Sequence, residues 1–305
     1  MLIGSMRQRI LIATGIGLVS GILCGSFLAH FHLGAGDFNW AIWAAKDLWA
    51  GRNPYVRPGQ LYPLTAAPFG FPLAWLPPSI SGGAFYGVSS ACLAFAVTTE
   101  NYDRLFIFLS FPYWAGLVTA QWSPLILASA FLPWLLPACI AKPQIGLPVA
   151  LIHPSRRGWL ACGVLAAVSF AIMPDWPRGW AHSWTGYNHF FPLLVFPGVL
   201  LVLALLRFRD PDARFLLLSA VFPQRYFYDP LVLWCIPKSR RQIMWTVTLS
   251  WIAWIWRWFH TSVNDHVVGR WIVLCMYLPM LAVILLRRRG TAESRHPTSL
   301  ASPAA

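Results

Sequence analysis

The sequence predicts an all-α, polytopic transmembrane helical bundle with nine to twelve membrane-crossing helices, and three observations carry that prediction. First, 57% of the 305 residues are hydrophobic and only 11% are charged, whereas a soluble domain carries about 25% charged residues. A soluble chain this apolar needs an interior larger than about 300 residues enclose, and its mean hydropathy of +0.57 agrees. Second, apolar runs recur along the whole chain. Third, Arg and Lys gather in short stretches between those runs, as the positive-inside rule requires of cytoplasmic loops.

Residues 10 to 31 form the first run, behind Arg7 and Arg9. It is longer than the 7–15-residue core of a secretory signal, so it reads as a retained first helix with a cytoplasmic N-terminus. Residues 32–66 then form an external polar loop. Further runs cover 67–77, 80–98, 105–119, 121–137, 138–153, 158–173, 190–207, 212–222, 228–236, 243–259 and 271–286. Several fall short of the ~20 residues of a straight crossing, and many hold proline: Pro72, Pro112, Pro133, Pro137, Pro143, Pro148, Pro192 and Pro230. Broken helices at membrane depth persist where protein or a wet cavity satisfies the freed backbone groups, so a cavity-bearing bundle is expected. Residues 1–289 read as a single integral membrane domain, and 290–305 as a disordered cytoplasmic tail. The Ala-, Arg- and Trp-rich composition points to a bacterial inner membrane.

The net charge of +13 with a pI near 10 raises nucleic acid as a partner, but position argues against it. The clusters Arg7/Arg9, Arg156/Arg157, Arg207/Arg209/Arg214, Lys238/Arg240/Arg241 and Arg287–Arg289, with Arg295, hold 14 of the 23 basic residues, all in short loops or the tail. Membrane lipid is the partner this placement implies. Many of the 18 tryptophans, among them Trp40, Trp75, Trp122, Trp159, Trp184 and Trp271, sit at run ends like an aromatic belt. The six cysteines lie within apolar runs without metal-ligand spacing and read as small hydrophobes. The histidines show no ligand spacing, so no metal site and no cofactor are expected.

With only ten acidic residues, each can be weighed. Asp37 opens DFNWAIWAAKDLWAG, in which Asp37, Trp40, Ala44 and Leu48 share one helical face and Lys46 the opposite one. Gly51 ends this amphipathic helix and Asn53-Pro54 turns the chain. Asp37 has two readings: an N-cap for that helix, or a general base at the outer surface that takes a proton from an attacking hydroxyl. Asp175 and Asp265 read as solvated loop carboxylates, either of which is the base if Asp37 is only a cap.

The stretch from Asp37-Phe38 through Ala44-Ala45, Gly51-Arg52-Asn53-Pro54-Tyr55, Tyr62-Pro63-Leu64 and Pro72-Leu73 resembles the start of glycosyltransferase family 87. Three later pieces follow in the same order: Ala120-Gln121-Trp122-Ser123-Pro124-Leu125, Ala141-Lys142-Pro143-Gln144 with Arg156-Arg157-Gly158-Trp159, and Tyr228-Asp229-Pro230-Leu231-Val232-Leu233. The resemblance spans roughly residues 37 to 235. Ala120 stands where the family has Gly, and Leu64 where it has a second Pro.

The resemblance implies a membrane enzyme of the GT-C type. Its donor is a polyprenyl-phosphate sugar, commonly mannose, and its acceptor a lipid or glycan. Transfer takes place at the external face, with inversion. It assigns Asp37 the role of catalytic carboxylate and Tyr55 a substrate-binding position. A leaving phosphate needs donors for its charge. Lys142, which interrupts an apolar run, and Arg225 are the candidates; for Lys142 the competing reading is a lysine snorkelling to an interface. Asp229 reads as a charge partner of Lys142 or Arg225, or as a helix-fixing group. Gln121 and Trp122 line a sugar pocket, or Trp122 anchors the interface; His189 is a candidate acceptor-binding residue. The competing functions are a transporter or flippase, which calls for an internal repeat not found here, and a non-catalytic scaffold of the same fold.

Overall fold

In the computed structural model, residues 5–57, 59–183, 189–260 and 264–287 are described. The 290–305 tail and Trp184 lie outside them. Among the described residues every regular element is helical, and the only extended pairing is an isolated antiparallel bridge between Phe190 and Gln224. Three helices are long and apolar enough to cross a membrane: α1 (Met6–His30), α3 (Pro78–Val97) and the continuous stretch Asp265–Leu286. Arg156–Ile172 and Trp176–Ser183 make a fourth if they are one span, bent by 95° between them.

The remaining apolar runs are built differently from the uniform crossings that hydropathy suggests. Residues 198–207, 229–235 and 102–109 are 3-10 helices, and others are α-helical pieces of four to ten residues. Proline explains most of the segmentation. Pro124, Pro137, Pro143, Pro211 and Pro230 each occupy the first turn of an element, where the missing N–H costs nothing and the fixed φ starts a helix. Arg240–Phe259 matches α3 in length, but its five Trp and three Arg make it far less apolar.

The apolar outside and the hydrogen-bonded hydroxyls between the helices both fit lipid as the solvent. On α1, Leu11, Leu18 and Ile22 are exposed, while Ser20 and Cys24 are buried. The Tyr113 hydroxyl bonds Ser20 Oγ at 2.6 Å and Ser90 Oγ at 2.8 Å, and Tyr86 donates to the Tyr113 carbonyl at 2.6 Å. Helices α1 and α3 meet backbone to backbone through Gly17, Gly21 and Gly25 against Gly83, Gly87 and Ala91. A Cβ at Gly83 would sit 2.7 Å from the Gly21 carbonyl oxygen, and one at Gly87 2.8 Å from that of Gly17. Small residues at fourth positions allow this approach where lipid removes any hydrophobic drive between helices. Gly87→Leu is therefore expected to destabilise the bundle by about 1–3 kcal/mol through overpacking. Thermal unfolding in detergent reads this out, and an unchanged midpoint would refute the contact.

The Asp37 region lies beyond the C-terminal end of α1. At that helix's other end, about 37 Å away at 1.5 Å per residue, Arg9 bonds the Phe95 carbonyl at 3.1 Å. Basic residues elsewhere close loops and helix ends: Arg287 pairs with Asp210 (3.1 Å) and Asp212 (2.8 Å), and Lys238 with Asp212 (3.4 Å).

Candidate functional site

The helix expected at Asp37 is present as α2 (Asn39–Trp49), entered by a short 3-10 turn, Gly36–Phe38. Ala41, Ala44 and Ala45 face the core, Lys46 is exposed, and Gly51 (φ 67°) ends the helix as expected. Asp37 does not cap it. No side chain bonds the helix N-terminus, and the Asp37 N–H donates instead to the Thr119 carbonyl at 2.8 Å. Gly36 makes this approach possible: it has φ 59°, and a Cβ there would lie 2.4 Å from the Thr119 oxygen. Asp47, a buried residue in the last turn of α2, is clamped by Arg52 at 2.8 Å and Arg57 at 3.1 Å, which draws the following loop back over the helix.

Each of the other polar groups sits at a helix break, where backbone is free to turn inward. Lys142 falls between Pro137–Ala141 and Pro143–Ile152, with φ −136°. Gln121 precedes the helix Ser123–Ser129, directly after Ala120, which takes the left-handed conformation at φ 48°. An alanine held there costs roughly 1–2 kcal/mol, and the turn it makes brings Gln121 to Lys142. Asp229 starts the 3-10 helix Asp229–Cys235, and Arg225 lies in the loop before it.

These groups converge. The Lys142 ammonium is 2.7 Å from Gln121 Oε1, 3.2 Å from Asp229 Oδ1 and 3.4 Å from Asp37 Oδ2. It also lies 5.0 Å from the centre of the Tyr228 ring. Asp229 Oδ2 accepts from the Arg225 backbone N–H at 2.9 Å, so Asp229 both pairs with Lys142 and holds the loop bearing Arg225. Tyr62 donates its hydroxyl to Asp37 Oδ2. Both donors therefore engage one carboxylate oxygen, leaving Oδ1 with no hydrogen bond among the described residues.

The geometry revises several sequence expectations. Lys142 is only 3% exposed, which excludes snorkelling. An ammonium has three protons, and three protein acceptors lie within 3.4 Å of this one. Lys142 hydrogen-bonds Gln121 and Asp37 and pairs with Asp229, while still bordering the smaller cavity described below together with Arg225. Trp122 is fully buried among Phe38, Phe69, Phe85 and Tyr62. It neither lines a cavity nor anchors an interface, but supports Tyr62 from behind. Tyr55 packs against Gly179, and its hydroxyl donates to the Tyr62 carbonyl at 3.2 Å. Burial pushes its phenol above the ordinary range, and the hydrogen bond braces the loop. His189 stacks edge-on with Phe191 and lines neither cavity described below. Asp175 is 85% exposed, beside Arg178. Among the described residues, no three His, Cys, Asp or Glu side chains converge to hold a metal ion.

Two cavities meet at this cluster. The first, of about 20 Å³, is walled by Asp37, Tyr62, Lys142, Gln144, Arg225 and Tyr228 and has room for about one water. The second, of about 590 Å³, shares Asp37, Arg225 and Tyr228 and extends past Gln121, Asn39, Trp40, Trp43 and Asp265. Tyr62, Gln144 and Asp265 are the site residues the sequence reading missed or set aside. Tyr62 and Gln144 stand next to Pro63 and Pro143, so a polar group beside a helix-breaking proline is the available signal. Compared with known proteins, the chain matches no family model, no curated protein and no solved structure.

Proposed function

We propose that the protein is an integral-membrane glycosyltransferase. It moves a sugar, in the first instance mannose, from a polyprenyl-phosphate donor to a lipid or glycan acceptor. The site faces the outside of the cell inner membrane, and both termini are cytoplasmic. One observation carries this reading: a carboxylate with one oxygen that makes no hydrogen bond among the described residues, a buried cation that holds its other oxygen, and an arginine on the wall of the same cavity. The family 87 resemblance points to the same residue, Asp37.

In this mechanism an acceptor hydroxyl attacks the anomeric carbon while Asp37 Oδ1 takes its proton. The bond from that carbon to the phosphate oxygen breaks, its electron pair leaves with the polyprenyl phosphate, and the configuration inverts. Arg225 stabilises the charge that develops on the phosphate. Lys142 and Tyr62 hold Asp37 in one orientation throughout. The apolar exterior and the remaining short helices belong, in this reading, to a polytopic bundle of nine to twelve crossings.

The direct test supplies labelled polyprenyl-phosphate mannose to membranes containing the protein. Protein-dependent loss of label from the donor supports the reading, and its absence with mannose and glucose donors alike would overturn it. Tyr62→Phe is expected to lower turnover by roughly ten- to a hundredfold through loss of carboxylate orientation, with donor KM unchanged. Equal turnover in Tyr62→Phe and the wild type would remove Tyr62 as a positioning residue.

A further inference from the structure

The two cavities beside Asp37 differ in a way that bears on the acceptor. The 20 Å³ cavity is too small for a sugar; its wall carries Lys142, and Arg225 borders both cavities. The 590 Å³ cavity falls in the ordinary range for a small-molecule pocket, about 300–1,000 Å³. Its wall combines the indoles of Trp40 and Trp43 with the amides of Asn39 and Gln121 and the carboxylate of Asp265. The indole rings stand perpendicular, with centroids 5.1 Å apart, and both are half-buried. Asp265, in the first turn of its helix, is also half-buried and forms no ion pair among the described residues.

This combination matches the chemistry of a sugar ring. Such a ring offers an apolar C–H face to an aromatic side chain and vicinal hydroxyls to an acceptor. An ionised carboxylate is an acceptor with two oxygens, and an indole supplies a large, rigid apolar plate. A lipid chain would need the opposite lining. The groove of about 650 Å³ along the helix Arg156–Ile172 has that lining, with Phe69, Leu160, Val164, Leu165 and Val168 and a single charge, Arg157.

We infer that the 590 Å³ cavity is the acceptor subsite and that the acceptor's reacting end is a sugar, seated in the corner between the Trp40 and Trp43 indoles and held through its hydroxyls by Asp265. This rests on the transferase reading above. The bound sugar presents one hydroxyl to Asp37 at the cavity's inner wall. The new bond joins that oxygen to the donor's anomeric carbon, the proton goes to Asp37, and polyprenyl phosphate departs with the bonding electrons. Asp265 binds the acceptor and takes no proton.

The experiment uses the full chain in lipid nanodiscs, labelled polyprenyl-phosphate mannose as donor, and octyl α-mannoside, α-glucoside and β-galactoside as acceptors. Transfer to the octyl glycosides and transfer to water are followed separately. Trp43→Ala and Asp265→Asn are expected to raise the acceptor KM roughly tenfold, as loss of uniform binding does, leaving donor KM and the rate of transfer to water unchanged. Trp43→Phe is expected to recover most of the loss. Lys46→Ala, on the exposed side of α2, should match the wild type. An unchanged acceptor KM in both variants, with donor cleavage intact, would overturn the subsite. So would a fall in kcat alone in Asp265→Asn, or a wild type that cleaves donor but uses none of the three glycosides. A wild type that leaves the donor uncleaved even by water, with mannose and glucose donors alike, would overturn the transferase reading itself, and the subsite with it.

Discussion

Asp37→Asn is expected to reduce sugar transfer by about a hundred- to ten-thousandfold, the usual contribution of a positioned general base, while leaving the fold and donor binding intact. The amide is nearly isosteric with the carboxylate, and its oxygen still accepts from Tyr62. Lys142 keeps Gln121 at 2.7 Å and Asp229 at 3.2 Å. What is lost is the ability of the second oxygen to take a proton. Because the change acts on the chemical step, kcat and kcat/KM should fall together. Initial rates with labelled donor, with thermal unfolding as a control on folding, measure it. A variant transferring at the wild-type rate would eliminate Asp37 as the base and return attention to Asp265, the other carboxylate on the cavity wall.

The second large effect concerns stability. Lys142→Met is expected to destabilise the protein by about 3–5 kcal/mol, because removing one partner of a buried ion pair leaves the other uncompensated. Asp229 is the group left behind. It is 0% exposed, and its remaining partner is the Arg225 backbone N–H. The double variant Lys142→Met/Asp229→Asn removes the stranded charge and is expected to regain most of the lost unfolding temperature. Turnover should stay low in the double variant, since Asp37 Oδ2 still lacks the cation 3.4 Å away. This split separates a positioning role from a merely structural one. If Lys142→Met unfolded at the wild-type temperature, the ion cluster would not be holding the site together.

Much of this site could be read before any coordinates, for a physical reason. In a chain with ten acidic residues and long apolar runs, an embedded charge is expensive and therefore conspicuous. Lys142 and Asp229 stand out on that ground, Asp37 as the carboxylate that opens the external helix, and Gln121 through the family 87 resemblance; the structure brings them to one place with Arg225. Tyr62, Trp40 and Trp43 did not stand out, because aromatic residues are abundant in this chain. Trp122 is ambiguous for the same reason: an indole at the end of an apolar run has one appearance in sequence, whether it lies in a lipid interface or a protein core. Gly17, Gly21 and Gly25, spaced four apart like Gly83, Gly87 and Ala91, were a readable packing signal that went unused.

The number of crossings shows the limit of hydropathy. A window average records that a segment prefers lipid to water. It does not record whether the segment is one helix, and here proline divides most of the runs into short pieces.

By itself, the sequence determined that this chain is helical, apolar outside and sparing with charge, because composition, periodicity and proline placement act locally and sum along the chain. Only the tertiary structure decided what each charge does. Lys142 and Asp37 lie 105 positions apart in the chain, and no local rule counts the acceptors around an ammonium. Packing brought Gln121, Asp229 and Asp37 to Lys142 and placed Arg225 on the wall of the same cavity.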